Sequence, residues 1–350
     1  MRGNVHLERH TSVTQLEGFI LQCRVTSLPD AILGFLDGVL PQAHATPEIA
    51  LLYKMMRDYP WRGGKMIRSK LLMASTLAHG GQFEVGLPLA AALELFQNWV
   101  LVHDDIEDDS DERRGKPALH RIYGVPLALN AGDALHVYMW QVVFGSGVKG
   151  AIETFLEMIH RTAEGQHMDL SFVQNKRWDV STEDYLQLVR LKTAYYTVVA
   201  PLVLGALAAG ATPSPDLGAA GLDLGVAFQI RDDVLNLTAN FAEYGKEIGG
   251  DLFEGKRTLM LLRLLEQASQ ERQEIIALLE QPRDQKTPAQ MEKILGAMRR
   301  YGCIEYAQTI AQEHAERGLK RLEQGLANAV NSTAVAEILG TARNLTTRNA

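Results

Sequence analysis

Two long apolar helical stretches each run into a pair of adjacent aspartates, Asp104-Asp105 and Asp232-Asp233. The first pair follows LELFQNWVLVH, which is apolar on nearly every side. The second follows Val226, Ala227, Phe228 and Ile230. A helix that is apolar all round has to be surrounded by other helices. Bare carboxylates delivered by such helices are costly unless something neutralises them. The chain is thereby constrained to a helical bundle with two acidic clusters inside it, and a shared cation is the simplest way to hold them.

The rest of the chain reads the same way. Apolar residues recur at spacings of three and four over 84–103, 151–173, 183–210, 217–237 and 303–325. No alternating runs joined by hairpin turns stand out. Pro60 with Gly63-Gly64, Gly80-Gly81, Gly145 and Gly147, Pro213 to Pro215 and Gly249-Gly250 mark turns between helices. No linker, composition shift or fixed-period repeat divides the chain. The pattern predicts one all-α domain over residues 1–350, with its core at about 20–340 and a polar, frayed tail after about Thr341.

A chain of 350 residues can bury a sizeable core. A net charge of -7 argues against a nucleic-acid binder, which usually shows a basic surplus. Cys23 and Cys303 are far apart and give no metal-ligand spacing, which fits a reducing compartment. MRGNVHLERHTS has no apolar signal core, so a cytoplasmic protein is expected. Residues 193–211 carry no charge and are nearly long enough to span a bilayer. They also contain Pro201, two glycines and several polar side chains, so a buried central helix is expected and no membrane span.

Seven of the nine residues from Asp104 to Glu112 are acidic. Alone, that is an ordinary solvated charge run. Here it is entered from a buried helix, and Asp104 and Asp108 share a helix face one turn apart. Such a pair suits Mg²⁺, which takes oxygen ligands and keeps waters and phosphate oxygens. Asp105 points about 100° away and takes a supporting role. Arg113 and Arg114 follow; arginine forks match phosphate. The local alternative is an ion pair back to Asp109, Asp111 or Glu112. In the second cluster the residue four after Asp232 is Asn236, a weaker ligand. Lys246 and Lys256 frame GKEIGGDLFEGKRT, by itself a surface loop. Lys65 and Arg68 sit at a predicted helix start, where both dipole and charge favour anions. GGKMIR is no Walker motif. Gln166 and Asp169 in EGQHMDL, and Lys192 and Thr193 in LKTAYY, are polar groups in apolar helices, each by itself readable as a satisfied core group.

Five segments in order, GGKMIR, HDDIEDDSDERRGKP, GQHMDL with LKT, FQIRDDVLN and GKEIGGDLFEGKRT, resemble the trans-isoprenyl diphosphate synthases, and among them the geranylgeranyl-forming group. The resemblance implies an isoprenoid synthase helical bundle around a central cavity, acting as a homodimer. It implies a Mg²⁺-dependent prenyltransferase, with about three ions beside bound diphosphate. An allylic diphosphate (dimethylallyl, geranyl or farnesyl) ionises, isopentenyl diphosphate attacks, and a proton is lost to the departing diphosphate. By the family's pattern Asp104, Asp108 and Asp232 ligate Mg²⁺, with Asp105 and Asp233 in support. Arg113, Lys192, Lys246 and Lys256 hold the allylic diphosphate. Lys65, Arg68 and Arg114 hold isopentenyl diphosphate, with Gln97 where the family often has His. Thr193 and Gln229 line the carbocation.

Product length is a packing question. Trp99, Val100 and Phe96 lie five, four and eight residues before Asp104. Trp99 or Phe96 is the expected floor of the product pocket, and non-aromatic Val100 leaves room for a C20 product; farnesyl diphosphate (C15) is the runner-up. A class I terpene cyclase shares the acidic motif, but DDVLNLTAN lacks the Glu of a cyclase's second motif, and the second basic cluster has no use there. A non-catalytic subunit of a heteromeric synthase should have lost acidic ligands, and both pairs are intact.

Overall fold

The computed structural model describes residues 27–238 and 249–347; Cys23 and Lys246 lie outside them. The all-α expectation holds. Among the described residues four helices come first: α1 (Leu28–Val39), α2 (Pro47–Trp61), α3 (Ile67–Ala78) and α4 (Phe83–Glu107). A ribbon of two-residue strands, β1 (Glu112–Arg113) antiparallel to β2 (Lys116–Pro117), then turns the acidic segment back. The sequence reading missed it, because strands this short carry no alternation. After it come α5 (Leu119–Tyr123), α6 (Val125–Gly145), α7 (Ala151–Gln174) and α8 (Thr182–Val189). A π-helical segment, Arg190–Val199, joins α8 to α9 (Ala200–Ala208). The long α10 (Pro215–Thr238) precedes α11 (Gly250–Glu254), α12 (Leu259–Gln267), α13 (Arg272–Leu279), α14 (Pro288–Arg300), α15 (Cys303–Gly325) and α16 (Ser332–Thr347).

Helix α4 buries nearly every residue from Gly86 to Asn98, as its all-round apolarity requires. One apolar cluster joins it to α1, α3, α6, α7 and α9 through Ile32, Leu72, Met139, Phe155 and Leu204. A second joins α3, α9, α10, α15 and α16. A third joins α8 and the end of α10 to α12, α14 and α15. Each fully buried Leu or Ile is worth roughly 1.5–3 kcal/mol, so α4 and α10 are held firmly where their acidic ends emerge.

The π-helical segment carries Lys192 and Thr193 and lies between α7 and α10. A Cβ on Gly165 of α7 would sit 2.2 Å from the Lys192 nitrogen, and one on Gly225 of α10 would sit 2.4 Å from Ala194 Cα. Only glycine permits both approaches. π-Turns concentrate at functional sites, and a search for period 3.6 cannot see them.

Two helical stretches, Phe83–Glu107 and Thr182–Ala208, are long and apolar enough to cross a membrane. Their most apolar windows are 72% and 67% buried inside the bundle. Pro201 lies just where the π-helical segment passes into α9, inside this continuous stretch. One expectation fails. Among the described residues no frayed tail follows Thr341: α16 continues to Thr347 and buries Ala342 and Leu345. Ala334, Ile338, Ala342 and Leu345 form a stripe of helical spacing in the cluster with Leu71 and Ala74 of α3. The polar residues between them hid it.

Candidate active site

Asp104 and Asp105 occupy the last turns of α4, and Asp108 caps it, its N–H donating to the Asp104 carbonyl at 2.8 Å. The two members of the pair have different surroundings. Asp105 is fully buried. It accepts the Tyr59 hydroxyl at 2.5 Å and Arg113 Nε at 2.9 Å, with Arg113 Nη2 also bonded to it. Burial by itself would lower the Arg113 guanidinium; the Asp105 carboxylate overrides this and raises it. Burial and the same carboxylate push the Tyr59 phenol well above its ordinary value. Among the described residues Arg113 makes no pair with Asp109, Asp111 or Glu112, the local alternative. Arg121 instead takes Asp109 at 2.8 Å and Asp111 at 3.0 Å. Arg62 holds the ribbon, donating to the carbonyls of Arg113 at 2.8 Å, Lys116 at 3.2 Å and Pro117 at 2.9 Å.

The second pair repeats the division. Asp233 is buried, accepts the Tyr185 hydroxyl at 2.7 Å and Gln229 Nε2 at 2.7 Å, and is pushed up to about 8 by burial, with Asp251 adding to it. Thr193 Oγ1 donates to Gln229 Oε1 at 2.9 Å. Asp232 is only partly buried. Asn236 accepts the Asp251 N–H on its side chain at 3.3 Å, and its carbonyl accepts Gly249 N–H at 2.7 Å. The residue in the third slot of this motif therefore anchors the start of α11.

The lysines bridge the acidic helices. Lys192 Nζ lies 2.5 Å from Asp169 of α7 and 3.8 Å from Asp104. Lys256 Nζ lies 2.7 Å from Asp108 and 2.7 Å from Glu254. Burial disfavours both ammonium groups, yet the surrounding carboxylates hold both above the usual lysine range. Gln166 donates to Glu107 at 2.5 Å. Among the described residues no three His, Cys, Asp or Glu side chains are gathered as a metal site. The donor chemistry nevertheless fits a hard divalent cation. Burial, with Asp104 beside it, pushes the Asp108 carboxyl up to about 7 even though Lys256 opposes this. Such oxygen-rich, under-neutralised crowding is what Mg²⁺ relieves.

A second basic cluster lies behind α4. Arg114 donates to the Tyr59 carbonyl at 2.8 Å, and its guanidinium lies against Gly64, where a Cβ would come within 3.2 Å of it. Arg68 donates to Thr197 at 3.0 Å and sits 4.3 Å over the Tyr196 ring. Both face the field of Glu94, a buried α4 carboxylate that accepts Ser69 Oγ at 2.6 Å; burial raises it, while Ser69 and then the two arginines pull it back. Gln97 is buried, and among the described residues its Oε1 has no hydrogen-bond partner. Lys65 is exposed just before α3.

Phe96 is in the core, edge-on to Trp99 at 5.6 Å and to Tyr196 at 5.5 Å. Trp99 stacks on His136 of α6, with ring centroids 4.0 Å apart and planes at 14°. Trp140 Nε1 donates to His136 Nε2 at 2.8 Å. Val100 is partly buried against the same cluster. Tyr59, Arg62, Tyr185 and His136 escaped the sequence reading because lone residues in helices carry no spacing signal. Glu94 had one cue, a single charge inside an apolar run.

The polyprenyl synthetase family profile matches residues 49–298. A short chain isoprenyl diphosphate synthase from Methanothermobacter thermautotrophicus is 37% identical over 268 residues, 75% of this chain and 80% of the relative. A geranylgeranyl diphosphate synthase from Sulfolobus acidocaldarius is 32% identical over 312 residues, covering 86% and 89%. Among solved structures, geranylgeranyl pyrophosphate synthase from Corynebacterium glutamicum, complexed with isoprenyl diphosphate and magnesium, superposes with a TM-score of 0.82 at 30% identity, covering 92% of this chain and 98% of that one.

Proposed function

The chain belongs to the polyprenyl synthetase family, and from that premise we propose that it makes geranylgeranyl diphosphate by adding isopentenyl units to a dimethylallyl, geranyl or farnesyl diphosphate primer. It is a prenyltransferase of the short-chain trans-isoprenyl diphosphate synthase type. The observation that carries the site reading is the pairing of Lys192 and Lys256 with Asp104, Asp169 and Asp108. Cations and carboxylates meet there at a partly exposed point between the helices, as a site for a metal-bound diphosphate requires.

Asp104, Asp108 and Asp232 hold Mg²⁺, about three ions with diphosphate present. When bound, magnesium neutralises the charge that builds on the departing diphosphate. Asp105 and Asp233 serve as supports, fixed by Tyr59 with Arg113 and by Tyr185 with Gln229. Lys192, Lys246, Lys256 and Arg113 hold the allylic diphosphate. Lys65, Arg68, Arg114 and Gln97 hold isopentenyl diphosphate. The Thr193 hydroxyl gives its hydrogen to Gln229, so its oxygen presents lone pairs to nearby positive charge. The new carbon–carbon bond forms as the isopentenyl double bond attacks the allylic cation, and the proton lost goes to the departing diphosphate.

A C20 product is the reading supported by Trp99, stacked on His136 and edge-on to Phe96, as an aromatic floor, with non-aromatic Val100 leaving room above it. The protein works as a cytoplasmic homodimer in this reading. Exposed Val125, Leu129, Val137 and Phe144 fall on one face of α6, an apolar surface for a second copy. Incubation with Mg²⁺, labelled isopentenyl diphosphate and each primer, followed by product chromatography, tests the whole assignment. A C20 alcohol after dephosphorylation is expected. A C15 product refutes the length assignment, a cyclic hydrocarbon from primer alone indicates a cyclase, and no turnover indicates a non-catalytic subunit.

A further inference from the structure

We propose that Arg257 is a positioning residue for the allylic diphosphate, fixing Lys256 and the end of α7 as one unit. The inference rests on the reading of Lys256 given above. Arg257 is only 4% exposed. Among the described residues its hydrogen bonds all go to main-chain carbonyls: Nε to Arg177 at 2.8 Å, Nη2 to Phe172 at 2.9 Å and Nη1 to Gly255. Its guanidinium lies 3.6 Å over the Trp178 ring. Trp178 is itself tied down, donating Nε1 to Glu280 at 2.7 Å and receiving Arg272 on its carbonyl at 2.8 Å. A buried guanidinium without a bonded carboxylate is an expensive brace.

The segments it joins explain the expense. Phe172 and Arg177 flank the C-terminus of α7, and Phe172 is about one turn beyond Asp169, the partner of Lys192. Gly255 caps α11 in the left-handed region (φ 73°), and the next residue is Lys256. One side chain thus ties the turn that delivers Lys256 to Asp108 to the end of the helix that carries Asp169, the partner of Lys192. Lys286 braces the same turn from the other side, donating to the Phe253 carbonyl at 2.5 Å. A planar fork spreads its fixed donors over three nitrogens and so reaches three separated carbonyls; a lysine's donors all sit on one nitrogen.

The test uses the full chain, with geranyl diphosphate and isopentenyl diphosphate as varied substrates. Arg257→Met should raise the KM for geranyl diphosphate about tenfold, or about 1.4 kcal/mol, and leave that for isopentenyl diphosphate within about twofold. In a Lys256→Ala background the same change should cost less than about twofold, because the group it positions is gone. Arg257→Lys should fall between. An equal loss in both backgrounds, or a fall in kcat with both KM values unmoved, overturns the proposal and leaves Arg257 a plain structural brace. If Lys256→Ala alone leaves the geranyl diphosphate KM unchanged, the underlying reading of Lys256 fails and this inference with it. If Lys256→Ala raises that KM and Arg257→Met does not, only this inference fails. Should Arg257→Met not fold, Lys286→Met carries the same expectation at the Phe253 carbonyl, and an unchanged geranyl diphosphate KM there overturns the proposal.

Discussion

Tyr185 donates its hydroxyl to Asp233 at 2.7 Å, with both groups buried between α8 and α10. Tyr59 does the same for Asp105 at 2.5 Å. The second aspartate of each pair is therefore a fixed internal acceptor. Removing the Tyr185 hydroxyl leaves a buried carboxyl with Gln229 as its remaining side-chain donor. Tyr185→Phe should cost about 2 kcal/mol in denaturant unfolding. It should also lower kcat/KM about tenfold, because Gln229 and neighbouring Asp232 lose their reference. An unchanged unfolding midpoint would show that the hydroxyl contributes nothing.

The division within each pair gives a sharper test. Asp104 is partly exposed, with Arg113 at 3.7 Å and Lys192 at 3.8 Å, while Asp105 is fully buried and closed in by Tyr59 and Arg113. Asp104→Asn should leave thermal stability nearly intact and reduce activity by about 100-fold or more. Asp105→Asn should strand the buried Arg113 cation and cost about 3–5 kcal/mol. That would lower Tm by roughly 10 °C in a chain of this size. Paired melting curves and initial rates decide; equal Tm losses would refute the division.

Trp99 is held by stacking on His136, so the product-length argument concerns two helices, α4 and α6. Trp99→Ala should lengthen the product by at least one isoprene unit, read by chromatography of the dephosphorylated alcohols. If Trp99→Ala leaves length unchanged and Phe96→Ala lengthens it, the floor is Phe96.

The exposed apolar face of α6 makes a separate prediction. Phe144, 62% exposed, and Val137, 61% exposed, lie two turns apart on that face. Phe144→Glu with Val137→Glu should shift the protein to monomer in light scattering. A wild-type protein that is already monomeric would refute the homodimer.

How much of this was legible in the sequence varies with the range of the interaction. The expected helical window 303–325 coincides with α15, and 151–173 with α7 to within one residue. The shared face of Asp104 and Asp108 was legible because it is set by one turn of helix. The partners of Asp105 and Asp233 were not, because Tyr59 is 46 residues from one and Tyr185 is 48 from the other. Helix packing alone brings them together. The π-segment at Lys192 was hidden for a different reason: it breaks the very period used to find helices.

Lys286 offers a pH test independent of catalysis. Its ammonium is buried, with Arg283 and Arg257 nearby, and burial first and these cations second push it down to about 8. The unfolded chain keeps a lysine near 10.4. Between these values the unfolded state binds more protons than the folded one, so stability should rise with pH through that window. The gain is roughly 2 kcal/mol after discounting for partial solvation. Lys286→Met has no group to titrate and should lack it. Urea unfolding of both proteins at pH 7.5 and pH 10 measures the difference. The wild type should gain on the variant by that amount as pH rises, and parallel curves would show that the Lys286 amine titrates as it does in water.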